Sequence, residues 1–155
     1  MNITRFTDYA LRVLVYLNVD TEHPARIQDV AESYDISKNH LMKVVQVLNA
    51  QGYVKATRGR NGGIALSRPA SEINIGELVR YFEEGSKLVE CFGADNQCVI
   101  TPACQIKQMF TGAMEQFFCH LDQFTLADMT VPSQQKLLAE LLHLPTDAAE
   151  STRAQ

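Results

Sequence analysis

The chain has 155 residues, with 14 lysines and arginines against 18 acidic residues, and this length allows one compact domain or a small domain with an extension. Four cysteines, three of them within residues 91–104, are too few and too clustered for a secreted disulfide framework. No apolar run reaches the roughly 20 residues of a membrane span, and the amphipathic N-terminus lacks the pattern of a secretory signal. We therefore expect a cytoplasmic protein.

The net charge of −4 hides a strong asymmetry along the chain. Residues 37–68 contain six basic side chains and no acidic one, so this segment carries +6 and the remainder carries −10. Chance clustering on a solvated surface is the weaker explanation, because all 18 acids avoid 32 consecutive residues. A basic segment of this kind is typical of a surface that binds nucleic acid.

The first half of the chain has the pattern of a winged helix-turn-helix domain. Apolar residues at helical spacing predict three helices, over residues 4–18, 27–34 and 38–51. Ser37 would cap the third helix. Two short strands at residues 53–54 and 64–66 follow, joined by the basic, glycine-rich segment RGRNGG. A basic helix followed at once by a basic hairpin is the order of a recognition helix and its wing, and this order predicts DNA binding.

The second half is predicted to be helical, with one irregular segment that carries three cysteines. Helices are expected over residues 75–84, 104–126 and 134–142, with a disordered tail after Pro145. The longest helix has one apolar face, formed by Ile106, Phe110, Ala113, Phe117, Leu121 and Phe124. The chain has little left to cover this face, so it favours a two-fold homodimer, with packing inside one chain as the alternative. The expected units are residues 1–70 for DNA binding, 71–103 for the cysteine segment, 104–145 for dimerisation and 146–155 for the tail.

Cys91, Cys98 and Cys104 have the spacing C-x6-C-x5-C. Thiolates at short intervals in a cytosolic protein suit a soft metal centre, and three cysteines with one other ligand suit an iron–sulfur cluster. Structural zinc sites usually contain paired cysteines two to four residues apart, which this segment lacks. Zinc, a metal-free thiol switch and cysteines without a role remain alternatives. Cys119 lies off the apolar face and is left out of the proposed metal site.

With these features, the sequence resembles the family of winged-helix iron–sulfur transcriptional regulators. The resemblance covers residues 1–130 and depends on the three cysteines and on five motifs: FTDYALRVLVYL (6–17), SKNHLMKV (37–44), RGRNGGIAL (58–66), ITPAC (100–104) and FTLADM (124–129). It implies that Cys91, Cys98 and Cys104 hold a 2Fe–2S or 4Fe–4S cluster. Members that regulate cluster biogenesis have a histidine ligand three residues after the third cysteine, where this chain has Lys107. This departure favours the nitric-oxide-sensing repressors of the family.

The resemblance also implies which residues bind a palindromic operator. Lys38, Asn39 and His40, at the start of the third helix, are the candidates for base edges, because asparagine can read adenine and lysine can donate to guanine. The remaining candidates for DNA contact are Ser37, Lys43, Arg58, Arg60 and Asn61. His40 has the alternative of being an ordinary residue on the helix surface.

The expected function is therefore transcriptional repression that nitric oxide relieves, with no catalytic site. Because Lys107 is a poor iron ligand, Asp8 is proposed as the fourth ligand, and in a dimer the cysteine segment of one subunit would reach Asp8 of the other. The alternative is that Asp8 only stabilises the start of its helix through the helix macrodipole. The other candidates for the fourth ligand are Glu90, Asp95, His120 and His23. Two other functions remain open: a regulator that senses thiol or general redox status through Cys91, Cys98 and Cys104 without iron, and a small iron–sulfur electron carrier. The carrier would not need the basic segment or the wing.

Overall fold

Six helices and one β-hairpin follow one another in the computed structural model, which describes residues 3–57, 59 and 62–144. The elements are α1 (Arg5–Val19), α2 (Ile27–Ser33), α3 (Lys38–Ala50), β1 (Val54–Thr57), β2 (Gly63–Leu66), α4 (Ile75–Phe82), α5 (Gln105–Leu121) and α6 (Pro132–Leu141). The predicted class, mainly helical with a small hairpin, is confirmed. Arg58, Arg60, Asn61 and the predicted disordered tail lie outside the described residues.

The N-terminus of α1 is capped from two directions. Thr4 accepts a hydrogen bond from the backbone N–H of Thr7 at 3.2 Å, as an N-cap residue does. Glu83, just after α4, accepts a hydrogen bond from the Thr4 N–H at 2.9 Å and others from the hydroxyls of Thr4 and Thr7. Burial alone would raise the pKa of the Glu83 carboxyl, but these hydrogen bonds outweigh it and hold the pKa below its ordinary value. The start of α1 is therefore tied to the end of α4.

The helix-turn-helix pair α2–α3 leads directly into the wing. Asp35 turns the chain between the helices with a φ of 50°, and Gly52 ends α3 with a φ of +72°. Strands β1 and β2 are antiparallel, with Val54 opposite Leu66 and Thr57 opposite Gly63. The hairpin is longer than predicted, because β1 continues to Thr57.

A third short segment pairs with the wing in front of α2. Ala25 and Ile64 exchange backbone hydrogen bonds at 2.9 and 2.8 Å. Gly63 permits this approach, because a Cβ there would lie 2.7 Å from the carbonyl oxygen of Ala25. The start of α2 is therefore fixed against the wing.

The long helix α5 ends earlier than its sequence pattern predicts. It stops at Leu121, so Phe124 lies beyond the helix. Two interactions redirect the chain there: Asp122 pairs with Arg80 of α4, and Thr125 begins a separate 3₁₀ turn by exchanging hydrogen bonds with Asp128. The end of α5 is thereby fastened to α4 rather than extended into solvent.

One continuous hydrophobic core joins the two halves of the chain. It contains side chains from α1–α4 and the wing, together with Leu126 and Leu142 from the C-terminal part. No residue of α5 is buried in the single chain. Among the described residues, no helix is both long and apolar enough to cross a membrane.

Candidate DNA-binding face and cysteine segment

The N-terminal half of α3 presents its polar side chains to solvent. Ser37, Lys38, Asn39, His40 and Lys43 are all exposed, whereas the opposite face of the helix is buried against α1 and α2. Ser37 occupies the predicted N-cap position, but its side chain makes no capping hydrogen bond. The five predicted contact residues of α3 therefore form one exposed surface, which we call the α3 face.

The wing adjoins the α3 face and is supported from below. Asn49 of α3 accepts a hydrogen bond from the backbone N–H of Ala56 in β1 at 3.3 Å. The guanidinium of Arg68 lies 4.6 Å from the centre of the Tyr53 ring. Burial raises the pKa of the Tyr53 hydroxyl, and the nearby Arg68 opposes this effect. These contacts fix the base of the hairpin against α3.

The cysteine segment, residues 85–104, connects α4 to α5 with little regular structure. It contains two short 3₁₀ turns, Glu90–Phe92 and Thr101–Ala103, and neither buries a side chain. Local hydrogen bonds hold it, including one from the backbone N–H of Gln97 to the Glu90 carboxylate at 3.0 Å. Such a segment can change shape at low cost, because few apolar contacts would be lost.

All four cysteines are free thiols. Cys91 and Cys104 are half-buried, Cys98 is exposed, and Cys104 stands at the N-cap position of α5. Within residues 3–57, 59 and 62–144, no three His, Cys, Asp or Glu side chains converge to hold a metal. The structure therefore does not bring the three predicted ligands together. Their chemistry nevertheless fits a cluster, because three accessible thiols on an adaptable segment match the thiolate ligands that iron–sulfur clusters require.

The structure gives Asp8 a partner within its own helix. One carboxylate oxygen accepts from Arg12 Nε at 3.0 Å, and the other lies 2.9 Å from Arg12 Nη2. Both side chains are more than two-fifths exposed, so the pair can separate at small cost. Asp8 is thus held on the surface of the first turn of α1.

The other fourth-ligand candidates also have partners. The Glu90 carboxylate accepts from Gln97, Asp95 lies 3.7 Å from Lys87 Nζ, and His23 lies 3.3 Å from Asp20. The ring of His120 packs edge-on against Phe124, 5.2 Å between ring centres.

A cavity of about 750 Å³ lies between the cysteine segment and α5. Cys91 and Cys119 both line it, together with Lys107 and Arg80.

Arg80 also forms two hydrogen bonds to the Asp122 carboxylate, and its guanidinium lies 4.8 Å from the centre of the Phe118 ring. Hydrogen bonding to Asp122 raises the pKa of Arg80, and the same bond lowers the pKa of Asp122. The sequence alone did not reveal this junction, because Arg80 and Asp122 are 42 residues apart.

The first half of α5 leaves large apolar side chains in solvent. Ile106, Met109 and Phe110 are 58%, 71% and 38% exposed, whereas Phe117 and Leu121 pack partly against the core of their own chain. Single exposed hydrophobic side chains are ordinary, whereas a contiguous group on one helix face is a candidate interaction surface. We call Ile106, Met109 and Phe110 the exposed α5 face.

Comparison with known proteins agrees with this arrangement. A family model described as "Rrf2: Iron-dependent Transcriptional regulator" matches residues 3–132. The chain belongs to the Rrf2 family. The HTH-type transcriptional regulator NsrR of Bacillus licheniformis is 47% identical to it over 131 residues, covering 83% of this chain and 92% of that protein. The protein of the same name from Bacillus subtilis is 46% identical, covering 83% and 90%. The predicted resemblance is confirmed at the level of the family.

Solved structures of Rrf2-type regulators share the fold. The structure named T. potens IscR matches all of this chain and 93% of its own, with a TM-score of 0.67 and 24% sequence identity. Staphylococcus aureus CymR matches 79% of this chain and 93% of its own, with a TM-score of 0.61 and 25% identity. The chain is therefore a transcriptional regulator of the Rrf2 family with a winged-helix fold.

Proposed function

We propose that this regulator is a dimeric repressor that binds a palindromic operator and releases it in response to nitric oxide. The observation that carries the proposal is the position of Cys104, which is both the third predicted cluster ligand and the N-cap residue of α5. A change in ligation at Cys104 would act directly on the helix that carries the exposed α5 face. The names of the relatives support the same function.

The α3 face supplies the contacts with DNA. In a two-fold dimer, two copies of α3 would enter successive major grooves about 34 Å apart. Asn39 and Lys38 offer base-edge donors and acceptors, and Lys43 with the wing arginines Arg58 and Arg60 offers charge to the phosphates.

The exposed α5 face is proposed as the dimer contact. Ile106, Met109 and Phe110 occupy positions i, i+3 and i+4, so they form one strip that can pack against the same strip of a second copy. Burial of three large apolar side chains on each subunit would contribute several kcal/mol to association.

Cys91, Cys98 and Cys104 are proposed as thiolate ligands, and Asp8 of the partner subunit is proposed as the fourth ligand. A bound iron–sulfur cluster would supply iron that reacts with nitric oxide. For ligation, Asp8 must leave Arg12, which the exposed position of the ion pair allows. A carboxylate is a hard ligand in a site of soft thiolates, so it is the weakest of the four.

Release of these ligands would reach the DNA-binding half through two connections. Asp8 belongs to α1, which packs on α3, and the end of α5 is fastened to α4 by Arg80 and Asp122. Loss of ligation would leave Asp8 to its pairing with Arg12 and would free the cysteine segment, so the two copies of α3 would lose their groove spacing. A coupling of about 3 kcal/mol between the two sites would lower DNA affinity about 150-fold.

The test is purification without oxygen, followed by iron and sulfide analysis, absorbance spectroscopy and DNA binding. We expect a brown protein whose visible absorbance is bleached by nitric oxide, with parallel loss of binding to a duplex that the protein itself enriches from a random pool. Cys98→Ala should lack the cluster, whereas the matched control Cys119→Ala should retain it. A colourless or zinc-loaded protein, or a cluster that survives in Cys98→Ala, contradicts the proposal.

A metal-free redox regulator is the second candidate, and one observation favours it. Cys91 and Cys119 line the same cavity, so two thiols of the chain face a common space. If this candidate is correct, oxidation of the colourless protein by peroxide alters DNA binding, and Cys119→Ala abolishes the response. In the iron–sulfur regulator, Cys119→Ala responds to nitric oxide like the wild type.

A further inference from the structure

Two arginines outside the basic segment 37–68 flank the α3 face. Arg5 stands at the start of α1, where it lines a groove of about 260 Å³ together with His40 and Lys43. The floor of this groove is apolar and includes Tyr9 of α1 and Val44 of α3. Because α1 packs on α3, the Arg5 side chain lies beside the C-terminal part of the α3 face.

Arg26 stands on the other side, just before α2. It lines a groove of about 360 Å³ together with Lys38 at the start of α3 and with Gly62 and Gly63 of the wing. The paired backbones of Ala25 and Ile64 fix the backbone at Arg26, because Arg26 directly follows the residue that bonds to the wing. Arg26 therefore lies between the wing and the start of α3.

In the described part of the chain, both grooves carry positive side chains without acidic side chains to balance them. No acidic side chain of residues 3–57, 59 and 62–144 lines either groove, and neither Arg5, Arg26, Lys38 nor Lys43 has a carboxylate within 4.0 Å in that part of the chain. By contrast, Arg12 and Arg80 on other surfaces are paired with acids. Like charges placed together repel one another, and a polyanion relieves this repulsion when it binds.

We propose that Arg5 and Arg26 bind phosphates of duplex DNA and extend the DNA contact to both sides of α3. Arg5 with Lys43 would hold one strand at the start of α1, and Arg26 with Lys38 would hold the backbone beside the wing. The inference rests on the proposed DNA contact of α3 and adds to it the start of α1 and the residue that precedes α2. Both arginines act on any sequence, since phosphates carry no base information.

The test is the salt dependence of binding by Arg5→Ala and Arg26→Ala. The probes are a duplex that the wild type enriches from a random pool and a scrambled duplex of the same composition, measured by fluorescence anisotropy from 50 to 300 mM salt. Each lost phosphate contact lowers the slope of log affinity against log salt by about 0.9, so a dimer variant should lose about 1.8. Between 50 and 150 mM salt, the wild type should therefore lose affinity by a factor about seven times larger than the factor lost by each variant.

Lys136→Ala is the matched control, because it removes one exposed cation from α6. That helix packs at the far ends of α1 and α2, where the Gln135 amide donates to the carbonyl oxygen of Val19 and the Ser33 hydroxyl donates to that of Leu142, just after α6. We expect its salt slope to equal that of the wild type, and Arg5→Lys and Arg26→Lys to restore most of the lost slope. Thermal midpoints should not change, since both arginines are exposed.

The outcomes distinguish phosphate binding by Arg5 and Arg26 from DNA binding by the α3 face. If Lys43→Ala flattens the slope while Arg5→Ala and Arg26→Ala do not, the extended contact is wrong and the α3 face stands. If all three variants bind like the wild type, the α3 face is wrong as well. Weaker binding to the enriched duplex alone, with an unchanged slope, would assign the arginines to bases and overturn their assignment to phosphates.

Discussion

Substitution of Gly76 by alanine tests how closely α4 packs on the end of α5. It is buried near the start of α4, and a Cβ at this position would lie 2.0 Å from Asp122 Oδ1 and 2.8 Å from the Asp122 backbone nitrogen. Asp122 cannot simply retreat, because Arg80 holds its carboxylate and the Asn74 side chain donates to its carbonyl oxygen at 2.7 Å. The Gly76→Ala variant must therefore break one of these contacts or displace the end of α5.

The expected free-energy change has two parts of opposite sign. Alanine in place of glycine within a helix ordinarily stabilises by up to about 1 kcal/mol. A methyl group forced into occupied space ordinarily costs about 1–3 kcal/mol, and the 2.0 Å approach to Asp122 places Gly76→Ala at the upper end. We expect a net loss of about 2 kcal/mol in the free energy of unfolding.

The assay is urea unfolding of the cluster-free protein at one fixed protein concentration, since dimerisation shifts apparent stability. Gly112→Ala in α5 is the control, because a Cβ there meets nothing within 4 Å in the single chain. That variant should be as stable as the wild type or up to about 1 kcal/mol more stable. Equal stability of the Gly76→Ala and Gly112→Ala variants would refute the close packing of α4 on Asp122.

Three further predictions concern the dimer, the fourth ligand and pH. Phe110→Glu should give monomers by light scattering, because a carboxylate buried against a second copy costs several kcal/mol; a variant that stays dimeric contradicts the assignment of the exposed α5 face. Asp8→Ala should shift the cluster absorbance and speed cluster loss under nitric oxide, whereas Arg12→Ala should not speed it, since it leaves the proposed ligand in place. The lowered pKa of Glu83 contributes stability that is present above its ordinary value of 4.5 and is lost as pH falls through its folded pKa; the thermal midpoint of Glu83→Gln should therefore fall less with acid than that of the wild type.

Local signals were sufficient to predict the winged helix. The spacing of Leu41, Val44, Val45 and Leu48 predicts α3, and the four residues are buried as that spacing requires. The predicted helix boundaries in the N-terminal half lie within one residue of the observed ones, because capping residues such as Thr4 and Gly52 are short-range features.

Contacts between distant residues escaped the sequence pattern. The apolar periodicity of α5 continues to Phe124, yet the helix stops at Leu121, where Arg80 binds Asp122 from 42 residues away. The capping box of Thr125 and Asp128, by contrast, is a local signal that was readable in the sequence. The pairing of Asp8 with Arg12 has an i, i+4 spacing that was readable in the sequence. The ligation of Asp8 by a second subunit has no such local signal, and it stays a prediction.

The double cap at the start of α1 has a consequence for how the DNA-binding part can be isolated. Thr4 and Glu83 are 79 residues apart, and Leu126 of the C-terminal part is fully buried in the same core as α1. A fragment that ends at residue 70 would contain every predicted DNA contact, but it would lack both Glu83 and Leu126. We therefore expect this fragment to be less stable than the whole chain, so truncation after residue 70 should not yield an independent DNA-binding domain.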